Sequence, residues 1–351
     1  MTLTATAGTP APPARVGPAS LRRRRTLGLA ACVVGVLLAV VASLAFGARV
    51  VGWDDVVAGV LHPDTTDIAQ AAVRSRVART VLGLLVGAAL GVGGAVLQGL
   101  TRNPLADPAL LGISSGASLA VVLGIMLLGL STLTQYVWFA FAGAALAALL
   151  VYAIGSMGRE GATPLKLALA GAATTAALGS GVSMVLLSRT DVLDTFRFWQ
   201  VGSLGRASFA EIAQVTPFLV VGAVLAVGCA RGMDAIALGD DVAVGLGQRV
   251  GTVRAVGGLG AVLLCGTAVA AAGPIGFVGL VVPHLARTFT GPSHRWLLPV
   301  SAALGAALLL AADVVGRVVA RPQEVEVGIV TAVLGAPVFI AIIRRHKVRE
   351  L

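Results

Sequence analysis

The sequence predicts an all-α polytopic membrane protein. Three observations carry that reading. The chain is 57% hydrophobic and only 12% charged, with a mean hydropathy of +0.93; a soluble globular domain carries about 25% charged residues. Apolar runs long enough, or nearly long enough, to cross a bilayer recur ten times along the 351 residues. Small residues fill those runs, which is how helices pack when lipid is the solvent.

Residues 1–20, rich in Ala, Pro and Thr, read as a disordered tail. The remainder, 21–351, reads as one unit. Arg22–Arg25 precede the first run, 26–48. That arrangement resembles a signal peptide, but a run of about twenty residues exceeds a usual h-region, so it reads as a retained span. The second run, 79–100, repeats glycine every four residues at Gly83, Gly87 and Gly91, one face open to close helix approach. "QGLTRNPLADPALLGISSGA" (98–117) then breaks the apolar pattern. Asn103, Pro104, Asp107 and Pro108 read as a rigid turn that stops the second span and re-aims the chain, with Asn103 and Asp107 bonding free backbone groups. A plain surface turn is the competing reading. The third run, 113–130, is short; the fourth and fifth are 136–157 and 165–187. A loop containing Trp199, Gly202 and Ser203 leads to the sixth, 212–230.

Segment 231–254 is the largest loop on its side. Ala235–Leu238 can form one short helix; Asp240 or Asp241 can cap a second, running to about Leu246 and ended by Gly247. Such a pair suits a protein contact, against the alternative of an ordinary solvated loop. The seventh run is 252–272, the short eighth 275–290, the ninth 296–316 and the tenth 327–343.

An even number of spans puts both termini on one side. Alternate loops then divide the lysines and arginines 17 to 9 in favour of the terminus side, which places both termini in the cytoplasm of a cell-membrane protein. The net charge of +10 is explained by this asymmetry and not by nucleic-acid binding, since the basic residues sit between apolar runs. The three cysteines and four histidines show no metal-ligand spacing, so neither a metal site nor a cofactor is expected. No Lys, Glu or Asp sits in mid-span within these limits, which argues against a proton-coupled carrier. The chain has no Gly-Lys dipeptide, hence no Walker A loop; if ATP drives it, a separate subunit binds the nucleotide and the chain itself is not an enzyme.

Five blocks in order carry a resemblance: "RVARTVLGLLVGAALGVGGAVLQGLTRNPLADPALLGISSGA" (76–117), "FRFWQVGSLGRASF" (196–209), "MDAIALGDDVAVGLG" (233–247), "AAGPIGFVGLVVPHLAR" (271–287) and "VGIVTAVLGAPVFI" (327–340). Together they resemble FecCD-type permeases, the membrane subunits of ABC importers for iron–siderophore complexes, haem and vitamin B12, over roughly 26–345. The resemblance implies ten spans, with spans two to five and seven to ten related as an inverted pseudo-repeat. It implies a second permease chain, ATPase subunits that grip the 231–254 loop, and a substrate-binding protein on the outer side. Short or interrupted spans at matching repeat positions mark the working region of such transporters. Here these are "NPLADP" and "GPIGFVGLVVPH", the latter with Gly276, Gly279, Pro283 and His284.

The family's outer arginines match Arg76, Arg79 and Arg317, which would receive glutamates of the binding protein as planar forks; anchoring of helix ends is the competing reading. The coupling positions match Ala235, Leu238, Gly239, Asp240, Asp241, Leu246 and Gly247. A cytoplasmic gate falls at Thr163, Pro164 and Leu165, where Pro164 and Leu165 replace the hydroxyl residues of some members and favour an apolar plug. His284 is expected to be structural or loop-capping. "RPQEVEVG", with Glu326 where vitamin B12 permeases tend to carry proline, favours an iron–siderophore over vitamin B12 or haem.

Overall fold

The computed structural model describes residues 18–61, 67–157 and 163–347, and among them there is no strand. The tail 1–17 and residues 348–351 lie outside the described residues, as does most of the loop before Thr163. In chain order the helices are α1 (Pro18–Ala45), α2 (Trp53–Leu61), α3 (Ile68–Thr101), a 3-10 turn (Pro108–Leu111), α4 (Ile113–Leu128), α5 (Leu133–Gly155), α6 (Pro164–Ser188), α7 (Thr190–Gln200), α8 (Phe209–Gly228), α9 (Ala230–Ile236), α10 (Asp240–Gly245), α11 (Val250–Ala272), α12 (Val278–Thr290), α13 (His294–Val319) and α14 (Val327–Lys347). Each of the ten apolar runs is a helix. Among the described residues, seven helices are long and apolar enough to cross a membrane; α4 and residues 327–341 of α14 are shorter apolar helices. The third and eighth runs give 16- and 13-residue helices, short as expected.

Two expectations change. The second span is longer than drawn: α3 starts at Ile68, because the Asp67 carboxylate accepts from the Ala69 N–H at 2.6 Å and caps the helix. Acidic residues do lie inside long helices. Glu211 occupies the first turn of α8 and is 1% exposed, and Asp313 is fully buried in α13. Limits at 212 and 316 leave both at span edges, because an apolar run stops at a charge whereas a helix does not.

The two halves pack alike. Within the first half, α4, α5 and α6 pack on one another; within the second, α12, α13 and α14 do the same. The leading helices cross over: α3 packs on α12 and α13, α11 packs on α4 and α5, and α3 and α11 touch. The second helix of each half also starts alike, from a left-handed residue: Gly112 (φ 66°) before α4 and Phe277 (φ 67°) before α12.

Glycine makes the central crossing possible. A Cβ on Gly87 would meet the backbone of Gly305 and lie 2.8 Å from the Ala306 Cα, and one on Gly94 would meet the backbone of Gly279. Without much hydrophobic drive between helices in lipid, this close backbone approach carries the association. Gly87→Val is expected to force α3 from α13 and cost about 3 kcal/mol, the upper range for overpacking. Thermal unfolding in detergent checks it; an unchanged midpoint would remove this crossing from the account.

Arg25 donates from Nε to the Thr290 carbonyl at 2.9 Å, which sets the start of α1 beside the end of α12. The N-terminus of α13 and the last turn of α3 lie at the same end, with His294 against Gly99. This end is called the terminal face below, and the other the opposite face.

Candidate functional site

On the opposite face, the three arginines singled out in the sequence are drawn into one polar cluster. Arg79 forks onto Asp313, with Nε 3.0 Å and Nη2 2.7 Å from Oδ1, and its Nη1 reaches Glu324 at 2.6 Å. Arg317 binds the second oxygen of Asp313 at 2.8 Å. It also donates to the Ser43 carbonyl at 3.0 Å and the Ser43 hydroxyl at 2.8 Å. The Ser43 hydroxyl in turn shares a 2.7 Å bond with Thr80. Arg76 donates to the carbonyls of Leu44, Ala45 and Arg49 at 3.0, 2.9 and 2.7 Å. Those carbonyls belong to the end of α1 and the turn after it, where the helix runs out of its own donors. All three arginines are more than nine-tenths buried. The cluster ties the ends of α1, α3 and α13 together, with two carboxylates balancing Arg79 and Arg317. The Arg79–Glu324 ion pair reaches toward the surface, through a glutamate about one-third exposed.

Between the faces, the two interrupted segments meet. α3 ends where Arg102 turns left-handed at φ 48°, with Asn103 N–H bonding the Gln98 carbonyl. The Asn103 side chain accepts from Leu105 N–H at 2.9 Å, and the Ala106 N–H bonds the Asn103 carbonyl. The expected rigid turn is thus built by Asn103, as its residue type demands. Pro108 opens the 3-10 turn and is buried; Pro104 is exposed. A Cβ on Gly279 would stand 3.1 Å from Pro108 Cδ, so the start of α12 seats on the re-aimed chain. Gly276 lies at the bend before α12, its carbonyl accepting from Val278 N–H at 2.9 Å. Pro283 is buried inside α12, and His284 faces a cleft on the terminal face.

The 231–254 segment folds as two short helices, with corrections to the expected limits. The first, α9, covers Ala230–Ile236 and follows α8 almost without a break, so Leu238 lies beyond it. The second starts from Gly239 (φ 114°), a conformation only glycine adopts readily. Asp240 and Asp241 sit in the first turn of α10 and make no cap bond. Gly247, at φ 78°, ends the pair as expected. Ala235, Ile236 and Ala243 form a small core closed by Val250 and Val253. Outside it stand the exposed Leu238, Val242, Val244 and Leu246. Asp240 pins α10 to Arg254 of α11 at 3.0 Å and lies 3.7 Å from Arg102. Four exposed apolar side chains thus gather within nine residues on a base held by ion pairs.

The comparisons decide what kind of molecule this is. The FecCD transport family matches residues 35–345. The chain belongs to that family. It is 46% identical over 272 residues to the ferric enterobactin transport system permease FepD of Escherichia coli (strain K12), covering 77% of this chain and 81% of FepD. It is 41% identical over 316 residues to the probable siderophore transport system permease YfiZ of Bacillus subtilis (strain 168), covering 90% and 95%. A solved transporter provisionally assigned to the metal-chelate ABC type, in an inward-facing conformation, superposes with a TM-score of 0.77 at 26% identity, over 90% of this chain and 98% of that one.

Within this FecCD chain, the three positions before the fifth run form a helix start. The Thr163 hydroxyl accepts from Lys166 N–H at 3.4 Å, Pro164 takes the first helical position, and Leu165 is exposed. Sequence reasoning missed a clasp on the terminal face. Asp234 of α9 accepts from the backbone N–H and the ring Nδ1 of His294, each at 2.7 Å, and from the Ser293 hydroxyl at 3.3 Å. It therefore caps α13 across sixty residues of sequence. The only local signal is Ser293 ahead of an apolar run, a generic helix start.

Burial alone pushes the Asp234 carboxyl up, but the bonds from the His294 ring and backbone, the His294 charge and Ser293 outweigh it and hold it below the ordinary carboxylate value. A depressed folded value contributes stability above the unfolded value of about 3.9 that is lost as pH falls through the folded one. The midpoint of thermal unfolding in detergent is expected to drop between pH 5 and 3 (roughly the span of that titration), and Asp234→Asn is expected to flatten part of the drop. A variant curve parallel to wild type would show that the clasp carries none of it.

Proposed function

We propose that this chain is the membrane permease subunit of an ABC importer that takes up ferric siderophores. The observation that carries the reading is the exposed patch of Leu238, Val242, Val244 and Leu246, held rigid on the terminal face of a FecCD-family bundle. A separate ATPase grips that patch, hydrolyses ATP and moves α9 and α10. Asp234 passes the displacement to α13, and Asp240 passes it to α11 and the end of α3. The chain carries no nucleotide-binding loop, so it is not itself an enzyme. Both termini and the coupling segment 231–254 lie in the cytoplasm, as the 17 to 9 division of basic residues supports. The relatives' names, ferric enterobactin and siderophore permeases, support the cargo class.

A substrate-binding protein docks on the opposite face. Arg79 is its contact: an incoming carboxylate exchanges for the part-exposed Glu324 at Arg79 Nη1, while Asp313 keeps the guanidinium in place. Arg76 and Arg317 hold the helix ends beneath and orient it. A second permease chain completes the pathway, with Thr163–Leu165 at its cytoplasmic entrance to α6. The whole reading is tested by reconstituting this permease with its ATPase and binding protein in liposomes. ATP-dependent accumulation of a ferric siderophore is expected, and none of cobalamin. Accumulation of cobalamin instead would replace the cargo, and accumulation without ATP would sink the mechanism.

A further inference from the structure

Two spanning helices touch at mid-bundle and part toward the terminal face. A Cβ on Gly266 of α11 would stand 3.3 Å from the Ala144 Cβ of α5. About two turns nearer the terminal face, a Cβ on Gly258 would meet no heavy atom within 4 Å. A groove of about 400 Å³ opens there. Leu97 and Leu100 of α3, both buried, form its floor, and the exposed Leu149 of α5 and Leu259 of α11 stand at its rims. Ala145 and Ala148 line one wall, and Ala255 and Gly258 the other. Small residues let helices close on one another in lipid; here they border a space instead. Among the described residues, Arg254 is the one charged group lining the groove. It stands in the first turns of α11, and Tyr152, which also lines the groove, stands in the last turn of α5. The groove is therefore apolar along its length and polar at its terminal-face end.

We infer that this groove seats one acyl chain of an anionic phospholipid, with the headgroup phosphate beside Arg254. The dimensions fit a lipid lying along the helices. Arg254 to Val262 is a rise of about 12 Å along α11, and one leaflet's hydrocarbon is about 15 Å deep. The charge fits as well. Arg254 gives Nη2 to Asp240 at 3.0 Å, and the same carboxylate lies 3.7 Å from Arg102. Two cations share one carboxylate, so the trio keeps a net positive charge. The starts of α6 and α11 and the ends of α3 and α5 meet at this end of the groove. Their helix dipoles oppose one another, so the guanidiniums carry the charge preference. Tyr152 is 43% exposed, and a tyrosine ring suits the headgroup level of a bilayer. A basic pocket between spans is a recurrent seat for anionic headgroups. With the sidedness proposed above, the lipid belongs to the cytoplasmic leaflet. It lies between the helix that carries Arg254, to which α10 is pinned, and α5.

The test reads lipid binding and needs no transport assay, so its failure is separable from failure of the transport reading. Delipidated permease in detergent is titrated with phosphatidylglycerol, or with phosphatidylcholine of the same chains, and followed by native mass spectrometry. One saturable lipid per chain is expected, severalfold tighter for phosphatidylglycerol. Glycerol phosphate, which has the charge without the chains, is expected not to compete. Gly258→Phe puts a ring into the groove where a Cβ has room. It is expected to weaken both lipids about tenfold, the scale of about two buried methylenes. The lipid-free thermal midpoint of that variant is expected to match wild type, which shows that it folds. Arg254→Gln is expected to remove the preference for phosphatidylglycerol and leave phosphatidylcholine as it was. Val224→Phe, at an exposed position of α8, is expected to change neither. Wild-type lipid affinity in Gly258→Phe, equal affinity of the wild type for the two headgroups, or competition by glycerol phosphate would overturn the proposal. So would loss of the lipid at every concentration in a permease dimer or an ATPase-bound complex, which would give the groove to a protein partner.

Discussion

Asp313→Ala is expected to be the most damaging single change to the folded protein. The carboxylate is fully buried and receives both the Arg79 fork and Arg317. Removing it leaves two buried guanidiniums to share Glu324, which reaches only Arg79 and is part-exposed. Breaking a buried ion pair by deleting one partner costs about 3–5 kcal/mol, because the surviving charge stays desolvated. Here one deletion strands Arg317 and leaves Arg79 only the part-exposed Glu324, so the upper end of that range applies. The loss is expected as a fall in the thermal midpoint in detergent and in the yield of monodisperse protein. Asp313→Asn, which keeps the shape and one acceptor oxygen but not the charge, is expected to lie between. Arg206→Ala, at an exposed position, is expected within about 0.5 kcal/mol of wild type. A near-wild-type midpoint for Asp313→Ala would mean that the cluster is hydrated and its geometry energetically idle.

That cluster also shows how much the sequence could say. Position and residue type were legible: arginines at the outer ends of the second and ninth spans, with Asp313 near the same end. Their engagement was not, because it depends on α3 and α13 meeting across 234 residues of sequence between Arg79 and Asp313. An exposed docking fork and a buried clamp have the same local sequence. The ten apolar runs were legible as helices because bilayer thickness imprints an apolar length on a crossing helix, and seven of the helices among the described residues reach that length. The turn at Asn103 was legible because Asn and Pro constrain their own backbone. By contrast, the start of α10 was misassigned to an aspartate cap, since a left-handed glycine at 239 leaves no side-chain signal. The Asp234–His294 clasp was invisible for the same reason as the arginine cluster: neither partner is unusual until the fold brings them together. The inverted repeat lies between these cases. Its halves share little sequence, yet α3 and α11 each pack into the opposite half in the same way.

The largest functional effect is expected from charging the apolar patch on the terminal face. Leu238→Glu with Leu246→Glu places two carboxylates on side chains 66% and 61% exposed. Both side chains stand mostly exposed outside the small core of Ala235, Ile236 and Ala243, so the stability of the permease itself is expected to stay within about 0.5 kcal/mol per site. At the ATPase contact the outcome differs. Interface anchors are worth about 2 kcal/mol or more each, and two lost anchors correspond to roughly a thousandfold in affinity. Co-purification of the ATPase with the permease is expected to fail at concentrations where the wild-type complex holds. ATP-driven uptake is expected to fall to background. The ion pins beneath the patch supply the contrast. Asp240→Asn leaves the apolar surface in place but loosens α10 from Arg254. That variant is expected to retain the ATPase and its hydrolysis while moving less cargo per ATP. The separation matters physically. In the coupling proposed above, the patch determines whether the motor is held, and the ion pairs with Asp234 and Asp240 determine whether its movement reaches α13 and α11. If the double charge change left both binding and uptake intact, the grip would have to lie elsewhere on the terminal face; if Asp240→Asn left the transport-to-hydrolysis ratio unchanged, α10 would transmit force through its apolar core alone.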